Sequence, residues 1–121
     1  MAKRLLIVDD EETLTFSLYQ SFIRAANDYE VVTAASGEEA LERIKEKPFD
    51  VVITDFFMPG IDGFEVMQYL KQESPSTEVV IMTAFGSSIY EEKALKEGAH
   101  YYVEKPFDMK EFKKLIMDLL K

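Results

Sequence analysis

Five times along this chain a short, largely apolar run gives way to a stretch whose apolar residues recur at helical spacing. The runs are Arg4–Asp9, Tyr29–Ala34, Phe49–Thr54, Glu78–Met82 and His100–Glu104. Leu5-Leu6-Ile7-Val8 and Val51-Val52-Ile53 lack the period-two alternation of a half-exposed strand, so they read as strands covered on both faces. Between them, Leu14, Leu18 and Phe22 recur at i, i+4 and i+8, with Tyr19 and Ile23 beside them, which predicts a helix from Glu11 to about Ala26. Ser36 with Glu39 predicts a capped helix start, and Ala40, Leu41 and Ile44 carry its apolar face to about Glu46. Val66, Met67 and Leu70 predict a helix from Gly63 to about Glu73, which Ser74-Pro75-Ser76 breaks. A weaker helix with few apolar positions is expected over Ser87–Glu97, closed by Gly98. Asp108 caps the last one, whose face is Phe112, Leu115, Ile116, Leu119 and Leu120.

Strict β–α alternation calls for a parallel sheet with helices on both faces. Right-handed crossovers and a length of 121 residues predict one domain over 1–121, an α/β, flavodoxin-like (βα)5 doubly wound sheet of strand order 2-1-3-4-5. Composition narrows the chemistry. There is no cysteine and one histidine, His100, so thiolate catalysis and Cys- or His-cluster metal sites are excluded, and any metal must be held by oxygen. The net charge of −9, from 14 basic and 23 acidic side chains, disfavours direct binding to nucleic acid or to an anionic membrane. No apolar run approaches the roughly 20 residues of a membrane span, and Leu5–Val8 is too short for a signal-peptide core, so a cytoplasmic location is expected.

In such sheets the ligand crevice lies beyond the carboxyl ends of the strands. Asp9-Asp10 follow the first strand, Asp55 the third, Thr83 the fourth and Lys105 the fifth. Each has an ordinary explanation alone: Asp9 to Glu12 suit a helix N-terminus, and Met58-Pro59-Gly60 after Asp55 is a turn. Together they bring three acids, a hydroxyl and an ammonium to one edge. Carboxylates ~4 Å apart repel by about 4 kcal/mol per pair at an effective dielectric of about 20, so the cluster must take up protons, expel a member or bind a cation. Mg²⁺ suits such oxygens, with Mn²⁺ or Ca²⁺ able to stand in its place. Asp55 could then serve as a carboxylate nucleophile toward phosphorus, with Lys105 and Thr83 meeting phosphoryl oxygens.

Leu5-Leu6-Ile7-Val8-Asp9-Asp10-Glu11, Ile53-Thr54-Asp55 with Met58-Pro59-Gly60 and Asp62-Gly63, Met82-Thr83-Ala84, and Gly98-Ala99 leading to Lys105-Pro106-Phe107 follow one another in the order and spacing of a known family. Over essentially its whole length the sequence resembles the receiver domain of two-component response regulators. The resemblance implies that Asp55 accepts a phosphoryl group from a phosphohistidine on a sensor histidine kinase or a histidine phosphotransferase. It implies Asp10, Asp55 and the backbone carbonyl of Phe57 as direct Mg²⁺ ligands, with Asp9 acting through water. It implies Thr83, Ala84 and Lys105 as the phosphoryl-binding group, Tyr102 as the switch aromatic and a cis bond before Pro106. The output would pass through the fourth helix, fifth strand and last helix. Its recipient would be a protein partner, an effector domain missing from this chain, or a second copy paired on phosphorylation.

Two positions depart from the family's habit. Phe57 and Phe85 stand two residues after Asp55 and Thr83, where side chains help set how fast the acyl phosphate hydrolyses, and the first is often polar. Phenyl rings cannot orient a water, which predicts a longer-lived phosphoryl group than Asn at position 57 would give. Tyr101 beside Tyr102 leaves the switch ring to be chosen by spacing to Lys105, and His100 reads as a solvated strand-end residue. The fourth helix, with the weakest apolar face, is expected to be the most mobile element. An alternative is an Asp-nucleophile phosphohydrolase acting on external substrates. Enzymes resembling the haloacid dehalogenase group place an acid/base Asp where this chain has Phe57, which argues against it. A flavodoxin-like cofactor binder fails because Asp10-Glu11-Glu12 would repel phosphate in the first loop.

Overall fold

The apolar runs pair into one sheet because only pairing satisfies their backbone groups once the side chains are buried. The computed structural model describes residues 3–25, 29–84 and 88–121. In chain order they form β1 (Lys3–Val8), α1 (Glu12–Ala25), β2 (Tyr29–Ala34), α2 (Gly37–Glu46), β3 (Val51–Asp55), α3 (Gly63–Glu73), β4 (Glu78–Thr83), α4 (Ser88–Lys96), β5 (Tyr101–Glu104) and α5 (Met109–Leu119). The strands are parallel in the order β2-β1-β3-β4-β5, so the fold class expected from the alternation is the one observed.

Alternation along each strand divides the core in two. Leu5, Ile7, Val51, Ile53, Val80 and Met82 face Leu18 and Phe22 of α1 and Phe112 and Ile116 of α5. Leu6, Val8, Val52, Val79 and Ile81 face Ile44 of α2, Val66, Met67 and Leu70 of α3, and Ala94 of α4. At about 1.5–3 kcal/mol for each large aliphatic side chain buried, these two layers carry most of the drive to fold. The central strands are covered on both faces, whereas edge strands β2 and β5 expose Glu30, Tyr101 and Glu104.

Boundaries differ from expectation where polar contacts intervene. β3 begins at Val51 rather than Phe49, because Asp50 is engaged with β1: its carboxylate accepts from the Arg4 amide at 2.7 Å and its amide donates to the Arg4 carbonyl at 2.9 Å. β3 also keeps Asp55, which pairs in register with Met82, and β4 reaches Thr83 opposite Glu104. β5 starts at Tyr101. His100, at the strand's threshold, donates its amide to the Val79 carbonyl and accepts the Val79 amide on Nδ1, at 2.8 and 3.0 Å. It is exposed, as expected, but it also serves as a side-chain continuation of the ladder. The expected end of α1 at Ala26 and start of α4 at Ser87 lie outside the described residues.

The helix starts follow their caps. Ser36, Asp62 and Asp108 accept the amides of Glu39, Glu65 and Glu111 at 3.0–3.1 Å. Glu39 reaches back to the amide of Ala35 at 2.9 Å, one residue before the cap itself. Gly63 opens α3 against the backbone of β3: a Cβ there would lie 2.0 Å from the Asp55 carbonyl oxygen. That close approach, with the Gly63 amide donating to the Phe56 carbonyl at 3.0 Å, fixes the loop that follows Asp55. Among the described residues no helix is long and apolar enough to cross a membrane.

Candidate functional site

Register alone brings the first two carboxylates together. Ile7 lies beside Ile53, so two residues further on Asp9 and Asp55 emerge from neighbouring strands on the same face of the sheet. Asp9 is 1% exposed and Asp55 8%, while Asp10, one residue on, is exposed. Carboxylate oxygens of all three lie within 4.8 Å of one another. From the loop after β5, Lys105 enters between two of them. Its Nζ donates to Asp9 Oδ2 at 2.8 Å and to Asp55 Oδ2 at 2.9 Å. Its amide donates to the Thr83 carbonyl at 2.7 Å, which ties its backbone to the end of β4, and the peptide to Pro106 is cis.

The second oxygen of each buried carboxylate accepts a backbone amide: Asp9 Oδ1 from Glu11 at 2.9 Å and Asp55 Oδ1 from Phe57 at 3.2 Å. Thr15 donates its hydroxyl to the backbone carbonyls of Asp9 and Glu11, tying the first turn of α1 to the strand end. Burial pushes the Asp9 carboxyl above its ordinary 3.8, against the Lys105 ammonium and the Glu11 amide, which pull it down, while the Asp55 charge adds to the rise. Burial alone would lower Lys105, yet hydrogen bonds and charge from Asp9 and Asp55 outweigh it and hold the ammonium above its ordinary 10.5.

Three carboxylates against one ammonium leave the site net negative. That donor set fits a hard divalent cation held by oxygen, and Asp9, Asp10 and Asp55 are the described side chains that could hold one. Thr83 is fully buried at the end of β4, and Ala84 after it is exposed. On β5, Tyr102 is half-buried against the layer covered by α2, α3 and α4, while Tyr101 is 42% exposed. Adjacent strand residues point to opposite faces, so only one of the two rings can reach inward. Phe85 lies outside the described residues.

Sequence reasoning missed an aromatic group beside the site. Phe57 stacks on Phe56 with centroids 5.0 Å apart and meets Tyr90 of α4 edge-on at 5.1 Å. Phe56 also contacts Phe64 at 6.1 Å and Tyr90 at 5.9 Å. Nothing periodic links a loop residue to one on a weak helix. The only sequence signal was the paired rings Phe56-Phe57, which a buried loop would need to cover.

An acidic crevice with one bridging lysine, at the carboxyl ends of a five-stranded parallel sheet, is the arrangement that the resemblance to receiver domains implies. The chain belongs to the response regulator receiver domain family, which it matches over residues 5–117. It is 32% identical over its full length to the alkaline phosphatase synthesis transcriptional regulatory protein PhoP of Bacillus subtilis, covering 50% of that protein. It is 39% identical over 104 residues to the transcriptional regulatory protein ZraR of Klebsiella oxytoca, covering 86% of this chain and 23% of that one. The chain thus spans half or less of the length of these relatives. In structure it resembles the Vibrio cholerae chemotaxis protein CheY4, with a TM-score of 0.88, 30% identity, and coverage of 99% of this chain and 100% of that one.

Proposed function

We propose that the chain is a Mg²⁺-dependent phospho-accepting switch in which Asp55 is the acceptor. The observation that carries this reading is the Lys105 ammonium held between Asp9 and Asp55, with Asp10 completing the acidic cluster. In the transfer, an Asp55 oxygen bonds to phosphorus, the P–N bond of a donor phosphohistidine breaks, and the imidazole leaves with its electron pair. The donor is a sensor histidine kinase or a histidine phosphotransferase. Asp9, Asp10, Asp55 and the Phe57 carbonyl would hold Mg²⁺, whose charge, when bound, offsets that of the carboxylates and of the phosphoryl oxygens. Lys105 keeps Asp9 and exchanges its bond to Asp55 for one to a phosphoryl oxygen. Thr83 and Ala84, at the end of β4, supply the other contacts. The new group brings about 1.5–2 negative charges and three acceptor oxygens, so the ends of β4 and β5 shift toward it and Tyr102 follows. That motion remodels α4, β5 and α5 for a partner, an effector domain or a second copy. The relatives named as transcriptional regulators favour a transcriptional output. The phosphohydrolase alternative gains no support, since Phe57 has no proton to give or take.

Incubation with Mg²⁺ and a small phosphodonor such as phosphoramidate should add one phosphoryl group by intact mass. Asp55→Asn should abolish it. A full-strength adduct on Asp55→Asn would remove Asp55 from the role.

A further inference from the structure

Helix α4 is held to the body of the protein by little apolar burial, with Ala94 its one buried residue. Aromatic contacts add to that hold. Tyr90, in its first turn, meets the edges of Phe56 and Phe57 at interplanar angles of 82° and 83°, a favourable edge-to-face arrangement. One turn on, the Lys93 ammonium sits 4.7 Å from the Phe64 ring centroid. Phe57 is where this cluster meets the chemistry. Its ring packs against both Phe56 and Tyr90, and its amide donates to Asp55 Oδ1. The residue that touches the acceptor through its backbone is therefore gripped by α4 through its side chain.

We infer that Tyr90 is a positioning residue that acts through Phe57 to set how long a phosphoryl group on Asp55 survives. The inference rests on reading Asp55 as the acceptor. Loss of the group is a hydrolysis: water attacks phosphorus, the bond from the Asp55 oxygen breaks, and phosphate and a proton leave. With its ring held edge-on by Tyr90, Phe57 offers that water no hydrogen-bonding side chain, and its loop opens less readily to admit one. Releasing the ring frees the loop. The same contact ties the acceptor's loop to the first turn of α4, so the lifetime of the group follows the Tyr90–Phe57 contact and not the order of the helix beyond that turn.

The test follows loss of the phosphoryl group from the full chain by intact mass, after the phosphodonor is removed in the presence of Mg²⁺. Tyr90→Ala should speed the loss about three- to tenfold, the size that one lost aromatic pair corresponds to. Tyr90→Phe, which keeps the ring, should stay within about twofold of the unaltered protein. Phe57→Ala combined with Tyr90→Ala should be no faster than the faster single change, because both remove one contact. Ala94→Gly, which loosens α4 away from the clasp, should leave the rate unchanged. Hydrogen exchange across residues 56–58 of the unphosphorylated protein should quicken in Tyr90→Ala and return to normal in Tyr90→Phe. An unchanged rate in Tyr90→Ala, multiplying effects in the double variant, or equal acceleration by Ala94→Gly would each overturn the inference. If no phosphoryl group forms on the unaltered protein, the reading of Asp55 fails first and takes the lifetime with it. A phosphorylated protein indifferent to Tyr90 defeats the inference alone.

Discussion

At Asp9, burial and pairing act in opposite directions on one carboxylate. Folding removes it from water, and although the Lys105 ammonium and the Glu11 amide favour its charge, its pKa still ends above 3.8. The folded state thus binds a proton at Asp9 more tightly than the unfolded chain does, so the ionised group costs stability at neutral pH. The sign is fixed: this cost is absent below 3.8, where Asp9 is protonated in both states, and is complete once pH rises past the folded pKa. Asp9→Asn removes the charge at nearly constant volume and leaves Lys105 its bond to Asp55. In chelator-treated buffer at pH 7 it should raise stability and Tm, while weakening metal binding. The gap to the unaltered protein should close as pH falls toward 4 (about the model-peptide value of Asp). A lower Tm for the variant would show that pairing with Lys105 outweighs desolvation. Where acids are gathered to hold a cation, such a cost in stability is the expected counterpart of the proposed binding role.

Among the elements, what could be read in the sequence depended on how much each one buries. β1, β3 and β4 announced themselves as aliphatic runs because both their faces are covered, and the strand ends that follow them located the site. α5 was legible for the same reason, with Phe112 and Ile116 on one face and Asp108 as its cap. Contacts between elements were not legible. The Val79 amide bonds to the His100 ring, Thr15 bonds to the end of β1, and Tyr90 meets Phe57, each a single contact without a period. The exact ends of β3 and β4 were hidden as well, since register with Met82 and Glu104 decides them and not the residues' own propensity. α4 is the case where a weak pattern was itself informative. Ile89 is 74% and Leu95 45% exposed, and one alanine is buried, so opening this helix releases little apolar surface. Its amides should exchange roughly a hundredfold or more faster than those of β3, measured by hydrogen exchange on the unphosphorylated protein. Equal protection of α4 and β3 would mean that the aromatic contacts at its first turn hold it as firmly as a buried face would.

For the whole molecule, net charge complicates the clearest test of the metal reading. With 23 acidic and 14 basic side chains, any added cation relieves some self-repulsion and raises stability without occupying a site. Specific binding must therefore be separated from screening, which at physiological salt already damps interactions between exposed charges farther apart than the Debye length of about 8 Å. A ligand that binds only the folded state adds RT ln(1 + [L]/Kd), or about 2.7 kcal/mol at a hundredfold excess over Kd. For a domain of this size that corresponds to roughly 10 °C in Tm. Asp10 is the informative position, because it is exposed and belongs to the acidic cluster, while Lys105 bridges the other two acids. Asp10→Asn leaves that bridge in place and changes the net charge by one. In 150 mM NaCl (about physiological ionic strength), saturating Mg²⁺ should raise the Tm of the unaltered protein by several degrees more than NaCl of matched ionic strength. Most of that excess should vanish in Asp10→Asn, and Ca²⁺ or Mn²⁺ should reproduce it in the unaltered protein, since all three prefer carboxylate oxygens. An equal Mg²⁺ shift in both proteins would assign the effect to the −9 surface and withdraw the cation from the crevice.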